Sequence, residues 1–282
     1  MTAGTLALTG STGALGGLVA HALADLHPRL LVRDPARAPK IDADVYVAPY
    51  GDATACTAAL EGVEVLFLVS ASESAERRTE HRTIIEAAAR VGVRQIVYTS
   101  FAGAGAEATF TLGRDHGDAE QAIRESGMAF TFLRDDFYLD VLPLFADAEG
   151  VIRGPAGHGR VAAVARRDVA DAAVAVLRDP AAHAGATYTL TGPQSLTLEE
   201  VATRASAVLG RQLRYEPETV EEAYASRRAA YPDAAQWQLD AWVSTYVAIA
   251  DGSVAEVTHD VERLTGHPAR TLEQALEGDL AS

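Results

Sequence analysis

Cysteine is nearly absent from this chain of 282 residues: Cys56 is the only one. That excludes an intramolecular disulfide and any cysteine-based metal cluster, and it fits a reducing cytoplasm, the expected location. Positive charge is also scarce. Lysine and arginine number 24 against 39 aspartates and glutamates, a formal net charge of −15. An acidic surface of this kind repels nucleic acid and anionic membrane, so neither is expected as a partner, though a local basic patch can still hold a phosphate. No uncharged run of about 20 residues offers a membrane span. The apolar start lacks the basic flank of a secretory signal, so none is expected. The histidines form no H-E-x-x-H or comparable spacing, and no metal site is expected. No G-x-S-x-G elbow is present to seat a hydrolase serine. Repeats and low-complexity tracts are missing too, beyond a general richness in alanine.

What is present is concentrated at the start. Thr5-Leu-Ala-Leu-Thr-Gly10-Ser-Thr-Gly13-Ala-Leu-Gly16 reads as a buried strand that breaks at a glycine and continues into a helix. The helix is expected over Leu15–Leu26, with Leu15, Leu18, Val19, Ala22, Leu23 and Leu26 at helical spacing. Gly10 permits the tight turn, Gly13 lets the backbone approach a pyrophosphate, and Gly16 lets the helix pack closely on the strand. Ser11, Thr12, Ala14 and Leu15 complete this cradle. Phosphates would sit at the helix N-terminus, where N–H groups and the positive dipole end meet their charge. The spacing G-x-x-G-x-x-G departs from the G-x-G-x-x-G of ordinary dehydrogenases, so the flanking strand and helix carry the specificity of the signal.

The chain then alternates strand and helix up to about Leu133, which predicts an α/β fold: a Rossmann-like, doubly wound parallel sheet. Strands are expected at Arg29–Arg33, Asp44–Ala48, Val63–Val69, Gln95–Ser100 and Ala129–Leu133. Helices are expected at Ala53–Glu61, Ala75–Val91 and Asp115–Ser126. From about Asp135 the alternation loosens. Asp136–Ala148 reads as loop and helix, and Gly150–Gly159 as a glycine-rich turn segment. A helix at Arg167–Leu177 and a strand at Thr187–Thr191 follow, then a helix opened by the capping box Thr197-Leu-Glu-Glu200. Val220–Ala230 and Trp237–Ile249 are read as helices. The expected organisation is a dinucleotide-binding core over 1–134 and a C-terminal region, 135–282, forming a small, mainly helical substrate lobe with elements returning to the core. The two together are read as one structural unit.

Cofactor choice is set where the second strand ends. An acidic residue there would bond the ribose 2′-hydroxyl of NAD; this chain has Arg33. A guanidinium favours the 2′-phosphate, so NADP(H) is expected ahead of NAD(H), which stays open. Arg37 and Lys40 could add positive charge, while Asp34 could pair with Arg33 or repel a phosphate.

These segments resemble the NmrA-like group of atypical short-chain dehydrogenases/reductases, and within it type-2 NADPH:quinone oxidoreductases and triphenylmethane dye reductases. The matching pieces include Thr9–Gly16, Leu31-Val-Arg33-Asp-Pro-Ala-Arg37, Tyr50-Gly51-Asp52 and Val63–Glu73. Glu80-His-Arg82, Tyr98-Thr-Ser100, Asp115–Glu120, Leu133–Tyr138 and Gly154–Gly159 follow in order over most of the chain. The resemblance implies that Gly51 and Asp52 lie by the adenine, and that Ser70, Ser72 and Glu73 lie on the nicotinamide-ribose side. Each is equally at home as a turn residue or helix cap. Phe101, Phe137 and Tyr138 are candidates for an aromatic substrate pocket, with ordinary core packing as the alternative.

One departure bears on the chemistry. Short-chain dehydrogenases use Tyr-x-x-x-Lys, and the corresponding positions here are Leu112 and His116. Reduction of an ordinary ketone creates a basic alkoxide that needs a positioned acid. A reduced quinone is phenol-like, with a pKa of about 10, and takes its proton from solvent. The expectation is therefore an NADPH-dependent oxidoreductase passing hydride to a quinone or similar conjugated small molecule. His116 is a candidate for holding the nicotinamide ribose or donating a proton, or a partly exposed helix residue. Two alternatives stay open: a dinucleotide-binding redox sensor without turnover, and a reductase or isomerase of secondary metabolites. The helices Ala75–Val91 and Asp115–Ser126 are where a homodimer would form, though the second is strongly polar.

Overall fold

The computed structural model describes residues 5–280. Its first strand, β1 (Leu6–Thr9), is buried throughout and leads through Gly10 into α1 (Ala14–Ala22). The apolar stretch after Ala22 turns into a 3₁₀ segment at Ala24–Leu26, so the helix is shorter than its periodicity suggests. β2 (Arg29–Val32) and β3 (Asp44–Val47) follow, then α2 (Ala53–Leu60), β4 (Val65–Leu68), α3 (Arg77–Val91) and β5 (Gln95–Phe101). Next come α4 (Thr111–Glu125), β6 (Ala129–Asp135), β7 (Val151–Gly154), α5 (Arg166–Arg178) and β8 (Ala186–Leu190). The chain closes with α6 (Leu198–Leu209), β9 (Arg214–Pro217), α7 (Val220–Ala230), α8 (Gln236–Ala250), α9 (Asp260–Thr265) and α10 (Leu272–Leu280).

Seven strands form one parallel sheet in the order β3-β2-β1-β4-β5-β6-β8. The chain winds outward from β1 through β2 to β3, then returns to β4 on the other side of β1. That reversal leaves a crevice at the carboxyl ends of β1 and β4, where doubly wound sheets bind ligands. β4 is an apolar run and β5 is buried along its whole length, because helices cover both faces of the sheet. Leu66, Leu68, Ile84, Ile96 and Phe132 meet in one buried cluster between the sheet and its helices.

The chain divides into two compact units. One runs to Phe101 and takes in Asp115–Arg134 and Val169–Tyr188; the other holds Ala102–Arg114, Asp135–Asp168 and the chain from Thr189 on. The second unit corrects the first part of the reading of Gly150–Gly159 as a turn, whereas residues 155–158 do form one. Val151–Gly154 is a strand, paired in parallel with β9 in the register Val151↔Arg214 and Ile152↔Tyr215. The glycines that suggested a turn have other reasons. Gly150 has φ +77°, and a Cβ there would collide with the Gln212 carbonyl oxygen. A Cβ on Gly154 would strike the Tyr246 ring. α6 carries the expected capping box, with Thr197 and Glu200 bonding each other's backbone N–H groups at 3.1 and 2.9 Å.

Candidate functional site

The strand-to-helix turn is built as a cradle. Gly10 sits at φ +64°, the left-handed region, and a Cβ on it would lie 2.8 Å from Cβ of Val69. A Cβ on Gly16 would collide with the Gly10 carbonyl oxygen, so helix and turn touch backbone to backbone. Gly13 is the N-cap of α1 and offers no side-chain cap, leaving the first-turn N–H groups available to an anion. Ser11 is buried, and its Oγ has no hydrogen-bond partner among the described residues. An uncapped helix start, a turn that excludes side chains and an orphaned hydroxyl together fit a pyrophosphate.

The turn opens on a cleft of about 290 Å³ lined by Gly10, Thr12, Gly13, Arg33, Ser70, Ser72 and Glu73, all of them expected site residues. Ala14 is exposed at the start of α1, whereas Leu15 and Gly16 are buried against the turn. Arg33 is exposed just past the end of β2, and its guanidinium has no hydrogen bond or ion pair among the described residues. Asp34 makes no ion pair with it among the described residues. Its carboxylate caps the following turn by accepting from the Ala36 N–H at 3.0 Å. Gly51 and Asp52 lie outside this lining: both are exposed, and Asp52 is the N-cap of α2, accepting from the Ala55 N–H at 2.9 Å.

The wall formed by residues 69–74 is held by groups that the sequence reading passed over. Thr9 Oγ accepts from the Val69 N–H at 2.9 Å and Thr99 Oγ accepts from the Ser70 N–H at 2.8 Å. Tyr50 donates its hydroxyl to the Val69 carbonyl at 2.7 Å. Ala71 is gripped on both sides from α3. Its N–H donates to His81 Nε2 at 2.8 Å, and its carbonyl accepts from Arg77 Nε at 3.0 Å. Both side chains are buried, and their four-residue spacing puts them on one helix face. The only sequence signal for this arrangement was the Glu80-His-Arg82 segment.

His116 stands behind this grip. Arg77 donates to its Nε2 at 2.9 Å, and its Nδ1 lies 3.0 Å from the Tyr98 hydroxyl. An arginine only donates, so Nε2 is the acceptor and the ring proton sits on Nδ1, toward Tyr98. Burial, with Arg77 and His81 nearby, holds the imidazolium form well below the usual histidine range. His116 is thus buried and neutral, unlike the partly exposed helix residue it could have been. Behind Nε2 the helix is tied down by ion pairs: Arg78 to Asp115 at 2.6 Å and Arg82 to Asp118 at 2.6 Å. Deeper still, the buried Glu120 carboxylate accepts from Ser100 at 2.7 Å and from both arms of Arg134 at 2.7 and 2.8 Å.

The expected aromatic residues fall in different units. Phe101 is buried with its ring centroid 6.1 Å from that of His116. In the other unit Phe137 meets Phe110 edge to face at 5.1 Å, and Tyr138 donates its hydroxyl to Asp135. Beside them Asp136 is fully buried. Its Oδ1 accepts from the Phe137 N–H, its Oδ2 has no hydrogen-bond partner among the described residues, and burial pushes its carboxyl well above the usual range. No helix among the described residues is long and apolar enough to cross a membrane.

Comparison with known proteins agrees with this geometry. Residues 10–180 match the model of an NAD(P)H-binding family. Quinone oxidoreductase 2 of Escherichia coli is 34% identical over 96% of this chain and 97% of its own. Its crystal structure complexed with NADPH superposes with a TM-score of 0.87 at 31% identity, covering 98% of this chain and 100% of the other. NAD(P)H azoreductase of Xenophilus azovorans is 33% identical over 98% of each chain. Triphenylmethane reductase of Citrobacter sp., complexed with NADP(H), superposes with a TM-score of 0.84 at 28% identity over 97% of this chain and 99% of that one. A glycine cradle at the switch point of a seven-stranded parallel sheet, and relatives matched over nearly their whole length, have one reading: the chain belongs to the NAD(P)H-binding family, among the oxidoreductases related to quinone oxidoreductase 2.

Proposed function

We propose that this protein is a cytoplasmic NADPH-dependent reductase of quinones or similar conjugated small molecules. The observation that carries the reading is the Arg33 guanidinium, without a hydrogen bond or ion pair among the described residues, in the same cleft as the glycine turn. Gly10–Gly16 would hold the pyrophosphate, Arg33 the 2′-phosphate, and Ser70, Ser72 and Glu73 the nicotinamide-ribose side. When bound, NADPH supplies a hydride. The chain's residues bind and orient it, and the wall at Ala71 fixes one side of the cleft through Arg77 and His81.

The acceptor class follows from what His116 is unable to do. Its Nε2 carries no proton and its imidazolium form is suppressed, so it is a poor acid at neutral pH. His116 serves instead as a positioning residue for Arg77. A quinone product is phenol-like and takes its proton from water, so it suits a site without a positioned acid. The relatives' quinone, azo and triphenylmethane acceptors share this conjugated character. The test is NADPH oxidation with a panel of quinones and dyes, followed by loss of reduced-nicotinamide absorbance. Turnover with a quinone supports the proposal. Tight NADPH binding with no acceptor turned over would sink it in favour of a redox sensor.

A further inference from the structure

Glu80 is an unusual residue on α3. It is half buried, lines the cleft and has no hydrogen bond or ion pair through its carboxylate among the described residues. The neighbouring basic residues of α3 are committed elsewhere. Arg77 bonds Ala71, His116 and Asp115, Arg78 bonds Asp115, and Arg82 bonds Asp118. A carboxylate partly withdrawn from water without a partner costs free energy, and a ligand donor would remove that cost.

Its place in the cleft defines the ligand group. That place is marked by Gly51, just after β3, where a Cβ would lie 3.8 Å from Cγ of Glu80. Glu80 therefore stands beside the segment after β3, in the cleft that Arg33 also lines. In a doubly wound sheet with pyrophosphate at the glycine turn, the adenosine half runs toward β2 and β3. The base is the part that reaches farthest in this direction. Among its polar edge atoms the ring nitrogens N1, N3 and N7 accept, and the exocyclic amine alone donates. An ionised carboxylate only accepts.

We propose that Glu80 reads the adenine base, its carboxylate accepting a hydrogen bond from the exocyclic amine; this rests on the dinucleotide reading above. The consequence is discrimination against hypoxanthine, where a carbonyl oxygen replaces the amine and is repelled by the carboxylate. The probes are NADPH and its deamino analogue, nicotinamide hypoxanthine dinucleotide phosphate, titrated by calorimetry into the whole protein. The wild type should bind NADPH about tenfold more tightly than the deamino form, as loss of a charge-assisted bond implies. Glu80→Ala should bring the two affinities within about twofold by weakening NADPH. Glu80→Gln, close in shape and able to donate to the carbonyl, should do the same, and it keeps the test valid if the alanine variant folds poorly. Equal wild-type affinities, or undiminished discrimination in a variant that still binds NADPH, would overturn the assignment to Glu80 alone. Failure of the wild type to bind NADPH would overturn the dinucleotide reading and Glu80's role with it.

Discussion

Replacing His81 by glutamine should flatten the acid limb of the protein's stability profile. His81 is fully buried, and burial, reinforced by Arg77, lowers its pKa from 6.5 to about 3. The unfolded chain leaves this ring in water, where it titrates near 6.5. Between those two values the unfolded state binds the extra proton, so stability rises with pH and is lost as pH falls. Well inside that window each pH unit is worth about 1.4 kcal/mol, and with the unfolded ring half protonated at pH 6.5, going from pH 6.5 to 4.5 should cost about 2.3 kcal/mol through His81 alone. Glutamine can accept the Ala71 N–H through its carbonyl oxygen and does not titrate, so the variant should lack that slope. Urea unfolding followed by circular dichroism at pH 7.5, 6.5, 5.5 and 4.5 measures it. Carboxylates and His116 titrate in both proteins, so the difference between the two curves isolates His81. Parallel curves below pH 6.5 would refute the argument, whatever the absolute stability of the variant.

Three further outcomes are expected. Arg33→Asp should weaken NADPH by about ten- to a hundredfold, the worth of a charge-assisted hydrogen bond, while sparing NADH; equal loss of both in calorimetric titrations would remove Arg33 from cofactor selection. Gly16→Ala should destabilise the fold by about 2–3 kcal/mol, because its methyl would collide with the Gly10 carbonyl, and an unchanged melting temperature would contradict that packing. Asp136→Asn should stabilise the protein, more so at pH 8 than at pH 5. The raised Asp136 carboxyl keeps its proton in the folded state while the unfolded chain releases it above about pH 3.9, so wild-type stability falls as pH rises. A variant that gains no more at pH 8 than at pH 5 would refute this.

The parts legible in the sequence were those fixed by local periodicity and backbone constraint. The strand-glycine-helix cradle, the basic residue after β2, the capping box at Thr197 and the helix Val220–Ala230 all lie where their residue patterns put them. The parts that were not legible depend on partners distant in sequence. β7 and β9 are short parallel strands some sixty residues apart, and Arg214-Tyr-Glu-Pro217 has no apolar alternation to mark it. The polarity of α4 suggested an exposed helix. Its aspartates in fact meet the arginines of α3, and His116 is buried within that polar seam. Gly51 and Asp52 matched a family pattern, but the visible duty of Asp52 is to cap a helix.

The hold on Ala71 separates the position of the β4–α3 connection from the identity of its side chains. Both anchors ride on one rigid helix, and both bond the backbone, so they are indifferent to which side chains the connection carries. Residues 72–76 are not helical, so a change of length there has to be absorbed within that stretch for both hydrogen bonds to Ala71 to persist. The grip uses the main chain, so the side chains of Ser72 and Glu73 stay available to the cleft they line. Substitution at Ser72 or Glu73 can therefore change what the cleft holds while the anchor on Ala71 stays as it is.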